Sequence, residues 1–269
     1  MDFESQLDRF LVRFLEEFGY DFTGYSHNSI QRRIVRIMTL FKVSDLDDLL
    51  SKMLKQPSLV GRFVQQVTVP LTTMFRDPAF FLSLRQKVIP YLSTYPLIRV
   101  WVAGCSTGEE AYSLAILLNE AGLMERSLIY ATDLNPVSVE RASQGMFSFE
   151  NLEEFTENYV SSGGTRDLSA FYTSNLEGFR FKDELRSRMV FSTHNLVSDS
   201  SFNCFQLILC RNVLIYFQRS LQDSVLELFH MSLEFSGFLA LGTKETLMFS
   251  SLSDRFQHIG NQKIWQKIN

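Results

Sequence analysis

Three short runs in this chain carry side chains able to bind and align reactants. Ala103-Gly-Cys-Ser-Thr-Gly108 joins an apolar, β-branched run to a helix-forming segment. Glycine tolerates positive φ and lets a ligand come close to the backbone. Asp133 follows a second apolar run, Leu128-Ile-Tyr-Ala131. A carboxylate at such a strand tip can accept two hydrogen bonds from ribose hydroxyls. The third run, Cys210-Arg-Asn-Val-Leu-Ile-Tyr-Phe217, places a guanidinium, an amide and a phenol just after a buried-strand pattern. In an open α/β sheet, ligands bind at the carboxyl ends of the strands.

The spacing discriminates between cofactors. A dinucleotide fingerprint reads GxGxxG with an acidic residue ~20 positions on. This turn has only two glycines, Gly104 and Gly108, and Asp133 comes later. No pyrophosphate cradle is evident. An adenosine cofactor without phosphates suits better, and S-adenosylmethionine is the common one. A tight turn with a helix cap is the plain structural alternative.

Methyl transfer from a sulfonium is an in-line displacement. An acceptor already ionised near neutral pH needs no general base, whereas a neutral one does. The enzyme has to position the acceptor oxygen and strip its water. Of the four histidines (His27, His194, His230, His258), only His194 adjoins a motif. Arg76 can steer a carboxylate with its permanently charged fork, or pair on the surface with Asp77. Tyr216 can turn its ring toward a sulfonium, worth roughly 0.5–2 kcal/mol, or serve as a core aromatic. Glu109 and Glu110 open a helix, where acids are favoured in any case; Glu110 is the expected ligand contact.

The elements that position these residues follow from hydrophobic period. Residues 1 to about 88 read as a helical domain. Leu7, Phe10, Leu11, Phe14, Leu15 and Phe18 form one apolar stripe, and Gly19 stops that helix. Ile30, Ile34, Ile37, Met38 and Phe41 share a face of a second helix. Arg32 and Arg36 point roughly the other way, and Arg33 flanks. Asp45, Asp47 and Asp48 begin a third helix, where negative charge suits the helix dipole. Thr68 to Pro78 is a polar stretch that closes the region.

From residue 89 to 269 strands and helices alternate. Strands are expected at 98–102, 128–133, 189–191, 205–210, 238–242 and 263–268, and helices at 109–121, 136–144 and 220–234, with Gly237 near the last cap. The pattern implies a doubly wound, Rossmann-like parallel sheet. Residues 150 to 188 break it. They read as an insertion with a small antiparallel element, in which Ser161 to Gly164 offers a tight turn.

Bulk composition sets limits. Hydrophobic residues at 45% and charged residues at 21% describe a globular chain with ample core. The 25 phenylalanines read as core rather than as a base-stacking surface. A net charge of −4 argues against nucleic-acid binding. Three cysteines without a CxxC pair make neither a disulfide framework nor a zinc site; no metal is expected, and a cytoplasmic location fits. Asp2, Glu4 and Asp8 are unlike a signal peptide. No apolar run approaches the ~18 residues that span a bilayer, so no membrane insertion is expected.

Five motifs in order carry a resemblance to a known family. Leu71-Thr-Thr-Met-Phe-Arg-Asp-Pro78, the run 100–115 around the glycine turn, Ala131-Thr-Asp-Leu134, Asn195-Leu196 and the run 210–217 resemble the chemotaxis receptor methyltransferases, the CheR family, along essentially the whole chain. The resemblance implies a class I S-adenosylmethionine methyltransferase fold with an N-terminal helical domain and a β-subdomain. It implies glutamate O-methylation of chemoreceptors, with S-adenosylhomocysteine as product. Cofactor contacts would fall on Thr72, Arg76, Gly104, Glu110, Asp133, Asn195, Leu196, Arg211 and Asn212. Arg76 would also be essential at the reacting centre, and Tyr216 would stand near the transferred methyl. Arg32, Arg33 and Arg36 would meet the receptor's cytoplasmic helical bundle, and the β-subdomain would meet a receptor C-terminal peptide in members that use one.

This sequence departs from the family pattern in places. Pro70 stands where Asn is usual, Met74 replaces a second Phe, Ala111 a proline, Gln206 an Asp, and Thr243-Lys244 a His-Ser pair. A methyltransferase of another substrate class, or a non-catalytic sensor binding the cofactor or its product, are the competing readings. A monomer is the default expectation.

Overall fold

The computed structural model describes residues 3–68 and 72–269; Pro70 lies outside them. The chain opens with four helices: α1 (Phe3–Phe18), α2 (His27–Phe41), α3 (Leu46–Lys55) and α4 (Ser58–Thr68). Their apolar stripes fold inward, as Leu7, Phe10 and Phe14 of α1 and Ile30, Ile34 and Ile37 of α2 are buried. Gly19, at φ +76°, lets the chain leave α1. The Asp45 side chain caps α3 by accepting the Asp48 amide at 2.8 Å. Next come α5 (Pro78–Ser83), a π turn over Leu84–Val88, and α6 (Ile89–Leu92).

The sheet domain then runs β1 (Ile98–Ala103), α7 (Glu109–Glu120), β2 (Ser127–Asp133), α8 (Pro136–Gln144), β3 (Met146–Phe147), α9 (Leu152–Ser161), β4 (Tyr172–Ser174), β5 (Phe179–Phe181), α10 (Asp183–Arg186), β6 (Met189–Thr193), β7 (Phe205–Cys210), α11 (Arg219–Ser232), β8 (Leu233–Leu241), β9 (Phe256–His258) and β10 (Ile264–Lys267). Seven strands form one sheet in the order β6-β2-β1-β7-β8-β10-β9. The β6, β2, β1, β7 and β8 strands are mutually parallel. β10 runs antiparallel to both β8 and β9, so the expected parallel sheet is mixed at one edge. This is the class I methyltransferase arrangement. Order reverses at β1, whose end therefore lies at the switch point where such sheets bind ligands.

The two faces of the sheet have separate cores. Trp101, Ile208 and Phe229 share one with α1–α4. Val100, Val102, Leu114 and Leu117 share the other with α5, α6 and the inserted segment. Phe80, Phe81, Leu84 and Val88 thus pack with the sheet domain. β1 and β7 are almost continuously apolar because both faces are covered.

Three local expectations change. Gly237 is not a helix cap. α11 ends at Ser232, and Gly237 lies within β8, at a register shift opposite Phe205/Leu207. The inserted three-stranded sheet, in the order β3-β5-β4, starts upstream of residue 150 at Met146. Its tight turn is Asn175–Gly178, where the Asn175 amide donates to the Gly178 carbonyl at 2.9 Å. Ser161 to Gly164 instead finishes α9, with the Gly164 amide donating to the Tyr159 carbonyl at 3.0 Å. Gln206 is buried and accepts the Arg99 amide at 2.7 Å, and Ala111 packs fully inside α7.

Candidate active site

A cleft opens at the carboxyl ends of β1, β2 and β7. Every site residue expected from the cofactor motifs lines it. Thr72 and Arg76 come from the segment before α5. Gly104 and Glu110 come from the glycine turn and α7, and Asp133 from the tip of β2. Asn195 and Leu196 follow β6, and Arg211, Asn212 and Tyr216 follow β7.

The glycine turn works by absence of side chain. Gly104 has φ +78°, and a Cβ there would lie 2.4 Å from Val213 Cγ2. The Gly104 and Cys105 amides both donate to the Thr132 carbonyl, at 2.8 and 2.9 Å. Ser106, also at positive φ, donates its amide to Asp133 Oδ2 at 2.9 Å. The Asn135 amide donates to Asp133 Oδ1 at 2.9 Å. The carboxylate is thereby fixed at the strand tip. Burial pushes its pKa up, against the opposing pull of the Asn135, Ser106 and Leu134 amides.

Arg211 is the buried centre of one wall. Its Nη1 donates to Glu110 Oε2 at 2.7 Å, and its Nη2 to Asp77 Oδ2 at 2.6 Å and to the Arg76 carbonyl at 3.1 Å. The guanidinium lies 4.1 Å from the Phe80 ring centroid. Asp77, which the alternative reading of Arg76 offers as its surface partner, accepts a hydrogen bond from Arg211. Phe75 and Asp77 flank Arg76 with φ of 49° and 59°, a strained conformation for residues with side chains. The Phe75 amide is held by Ser113 Oγ at 2.8 Å. Met74, at the position of a family Phe, is fully buried there.

The loop carrying Asn212 and Tyr216 is gathered by Glu245, whose buried carboxylate was not expected as a site residue. It accepts the amides of Gly242 at 2.5 Å, Asn212 at 3.0 Å and Ile215 at 3.3 Å. Burial pushes its pKa up despite these bonds. The neighbouring Thr243 and Lys244 are exposed and do not line the cleft. Nor does Glu109, which is buried and accepts the Thr107 hydroxyl.

The three arginines of α2 part company. Arg32 and Arg36 are exposed. Arg33 turns into the cleft, with its guanidinium 4.3 Å from the Tyr216 ring centroid and a hydrogen bond to the Val67 carbonyl. The helical rotation that buries Ile34 carries its neighbour part of the way inward. Tyr25 also lines the cleft. The loop it belongs to is sewn to the Tyr216 loop, because the Ser26 amide donates to the Tyr216 carbonyl and the Gln218 amide to the Gly24 carbonyl, each at 2.8 Å.

Residues of the cleft also hold unsatisfied polar atoms. Ser106 Oγ, His194 Nδ1 and Arg211 Nε are buried without hydrogen-bond partners among the described residues. Buried polar groups are ordinarily paired, so these three mark places for ligand atoms. Together with the fixed Asp133 carboxylate, they fit an adenosyl cofactor bearing an amino-acid tail.

Comparison with known proteins agrees with this geometry. The family model described as "CheR methyltransferase, SAM binding domain" matches residues 70–265, and "CheR methyltransferase, all-alpha domain" matches residues 5–68. The chain belongs to the CheR methyltransferase family, and its sheet domain is an S-adenosylmethionine-binding domain. It is 47% identical over 252 residues to a protein of Pseudomonas putida named as the methyltransferase Cher3, covering 93% of this chain and 92% of that one. It is 31% identical over 234 residues to a chemotaxis protein methyltransferase of Listeria innocua, covering 86% of each. A chemotaxis protein methyltransferase of Vibrio cholerae is 30% identical over 263 residues, covering 93% of this chain and 92% of the relative.

Proposed function

We propose that this chain transfers a methyl group to glutamate side chains of chemoreceptors, forming methyl esters that adjust chemosensory signalling. The observation that carries this reading is the convergence of all five motifs on one cleft, with Arg76 and Tyr216 in its wall. Bound S-adenosylmethionine supplies an electrophilic methyl on a sulfonium.

Asp133 receives the ribose, its oxygens already aimed by two backbone amides. Gly104 lets the cofactor approach the backbone. Asn195, Leu196, Thr72, Glu110, Arg211 and Asn212 complete the contacts. Arg211 acts mostly through others, because its Nη atoms are committed to Glu110, Asp77 and the Arg76 carbonyl. It fixes the strained loop that presents Arg76. Arg76 orients the acceptor carboxylate, and the aromatic wall of Tyr216 and Phe217 keeps water from it. No side chain needs to remove a proton.

Arg32 and Arg36 form the outward basic face of α2 that steers toward an acidic receptor helix. Each exposed pair contributes only ~0–1 kcal/mol, so docking is salt-sensitive. The β-subdomain is the docking place for a receptor C-terminal peptide, if the receptor has one. The protein works in the cytoplasm as a monomer; among the described residues no helix is long and apolar enough to cross a membrane.

The test is transfer of labelled methyl from S-adenosylmethionine to the cytoplasmic fragment of a chemoreceptor from the same organism. The wild type labels the fragment, and Asp133→Ala does not. Cofactor binding without labelling of any receptor fragment would instead favour the sensor reading.

A further inference from the structure

Three consecutive residues ahead of Arg76 rest on one helix. The Thr73 hydroxyl donates to Glu154 Oε1 at 2.8 Å, and Asn158 Nδ2 donates to the Met74 carbonyl at 3.1 Å. The Phe75 ring centroid stands 5.2 Å from that of Tyr159. Glu154, Asn158 and Tyr159 all belong to α9 of the inserted segment. Residues four apart share a helix face, so Glu154 and Asn158 meet the chain side by side, and Tyr159 follows. The two hydrogen bonds join residues 81 and 84 positions apart.

The helix is itself firmly held. Tyr159 is fully buried, and its hydroxyl donates to Glu120 Oε1, at the end of α7, at 2.6 Å. Glu120 also accepts the amide and the hydroxyl of Thr165, each at 2.9 Å. Phe155 is buried against the inserted sheet, 6.4 Å from the Phe147 ring and 6.5 Å from that of Phe179. What α9 holds is strained, since Phe75 and Asp77 have positive φ. Such residues persist only where their surroundings over-determine them. Ser113 and Arg211 secure Phe75 to Asp77, and α9 secures Thr73 to Phe75.

We propose that Glu154, Asn158 and Tyr159 are positioning residues for the transfer, acting through Thr73–Phe75 to set Arg76 against the acceptor carboxylate. None of the three lines the cleft, so each acts through the backbone it holds. The inserted segment then works in turnover as well as in docking, whether or not the receptor carries a C-terminal peptide. The inference rests on the reading of Arg76 as the residue that orients the acceptor.

The experiment compares full-length wild type with Asn158→Ala, Thr73→Val and Thr73→Ser in two measurements. The first is amide hydrogen exchange over residues 72–77 of the free protein, which needs no acceptor. Exchange rises in Asn158→Ala and Thr73→Val, and stays at the wild-type level in Thr73→Ser, which keeps the hydroxyl. The second is methyl transfer to a chemoreceptor fragment with its natural C-terminus and to the same fragment with that terminus trimmed. Asn158→Ala lowers kcat about three- to tenfold, the size of one hydrogen bond, and by the same factor on both fragments. Combined with Arg76→Lys, it lowers kcat by less than the product of the two single losses, because both act through one guanidinium. Unchanged exchange in Asn158→Ala and Thr73→Val overturns the proposal. So does a loss confined to KM on the untrimmed fragment, which would make α9 a docking element alone. If the wild type labels neither fragment, the reading of the acceptor fails, and exchange over 72–77 still decides whether α9 holds the segment.

Discussion

Arg211 Nη1 stands 2.7 Å from Glu110 Oε2, in a pairing that joins residues 101 positions apart. The same guanidinium reaches Asp77. One buried side chain thus ties the loop after β7, the first turn of α7 and the strained segment before α5. Removing one partner of a buried ion pair leaves charge unpaired and costs about 3–5 kcal/mol. Arg211→Met therefore destabilises the protein by about 3 kcal/mol in urea denaturation and abolishes binding of S-adenosylhomocysteine. Arg211→Lys keeps the charge but loses the fork, and falls between. Wild-type stability in Arg211→Met would show that the pairing is incidental.

The arginines of α2 give separable defects. Arg33 stacks on Tyr216 inside the cleft. A cation–π contact of ~0.5–2 kcal/mol corresponds to roughly a two- to thirtyfold loss of turnover in Arg33→Met. Affinity for S-adenosylhomocysteine stays nearly constant. Arg32→Ala and Arg36→Ala raise KM for the receptor and weaken its salt dependence, with kcat unchanged. Steady-state kinetics at two ionic strengths distinguishes them. Identical behaviour of all three variants would contradict the division.

With Asp133 as the proposed ribose acceptor, cofactor affinity is predicted to depend on pH. Burial raises the pKa of this carboxyl in the free protein. Ribose binding requires both oxygens as acceptors, hence the ionised form, so affinity falls as pH falls through the raised value. Affinity for S-adenosylhomocysteine should weaken in the wild type as pH falls from neutral into the acid range. Asp133→Asn binds weakly throughout and shows no such slope. For folding the sign is opposite. A group with a raised folded pKa contributes stability that is complete below its unfolded value and lost as pH rises through the folded one.

Gly104→Ala tests the turn. The added Cβ would meet Val213 at 2.4 Å, with φ at +78°. Strain at such a position is on the order of 1–3 kcal/mol, before any cost of moving Val213. Thermal melting should drop, and calorimetry should show loss of cofactor binding. A Gly104→Ala protein with normal melting and affinity would contradict the close approach.

Much of this architecture was readable because its signals are local. The run Ile98–Val102, the turn to Gly108 and Asp133 at the next strand tip each declare themselves by period and residue type. So do the inward stripes of α1 and α2. What stayed hidden depends on tertiary placement. Arg33 sits between exposed Arg32 and buried Ile34, where helical phase alone does not decide its direction. Tyr25 lies in a loop with no period. Glu245 follows a strand, but its work, accepting the amides of Asn212 and Ile215 from the loop after β7 as well as that of nearby Gly242, comes only with folding. Strands β3, β4, β5 and β9 have two or three residues each, too few to show alternation. Ser161–Gly164 carries turn residues that serve a helix end equally well.

The most direct measurement concerns the bond that is made. A receptor fragment labelled from S-adenosylmethionine is treated with mild alkali, and released methanol is counted. Carboxyl methyl esters hydrolyse under these conditions, whereas N-methyl groups do not. The account predicts alkali-labile label, lost when the modified glutamates of the fragment are changed to glutamine and lost with Arg76→Ala enzyme. Label that survives alkali, or that persists without those glutamates, would contradict it.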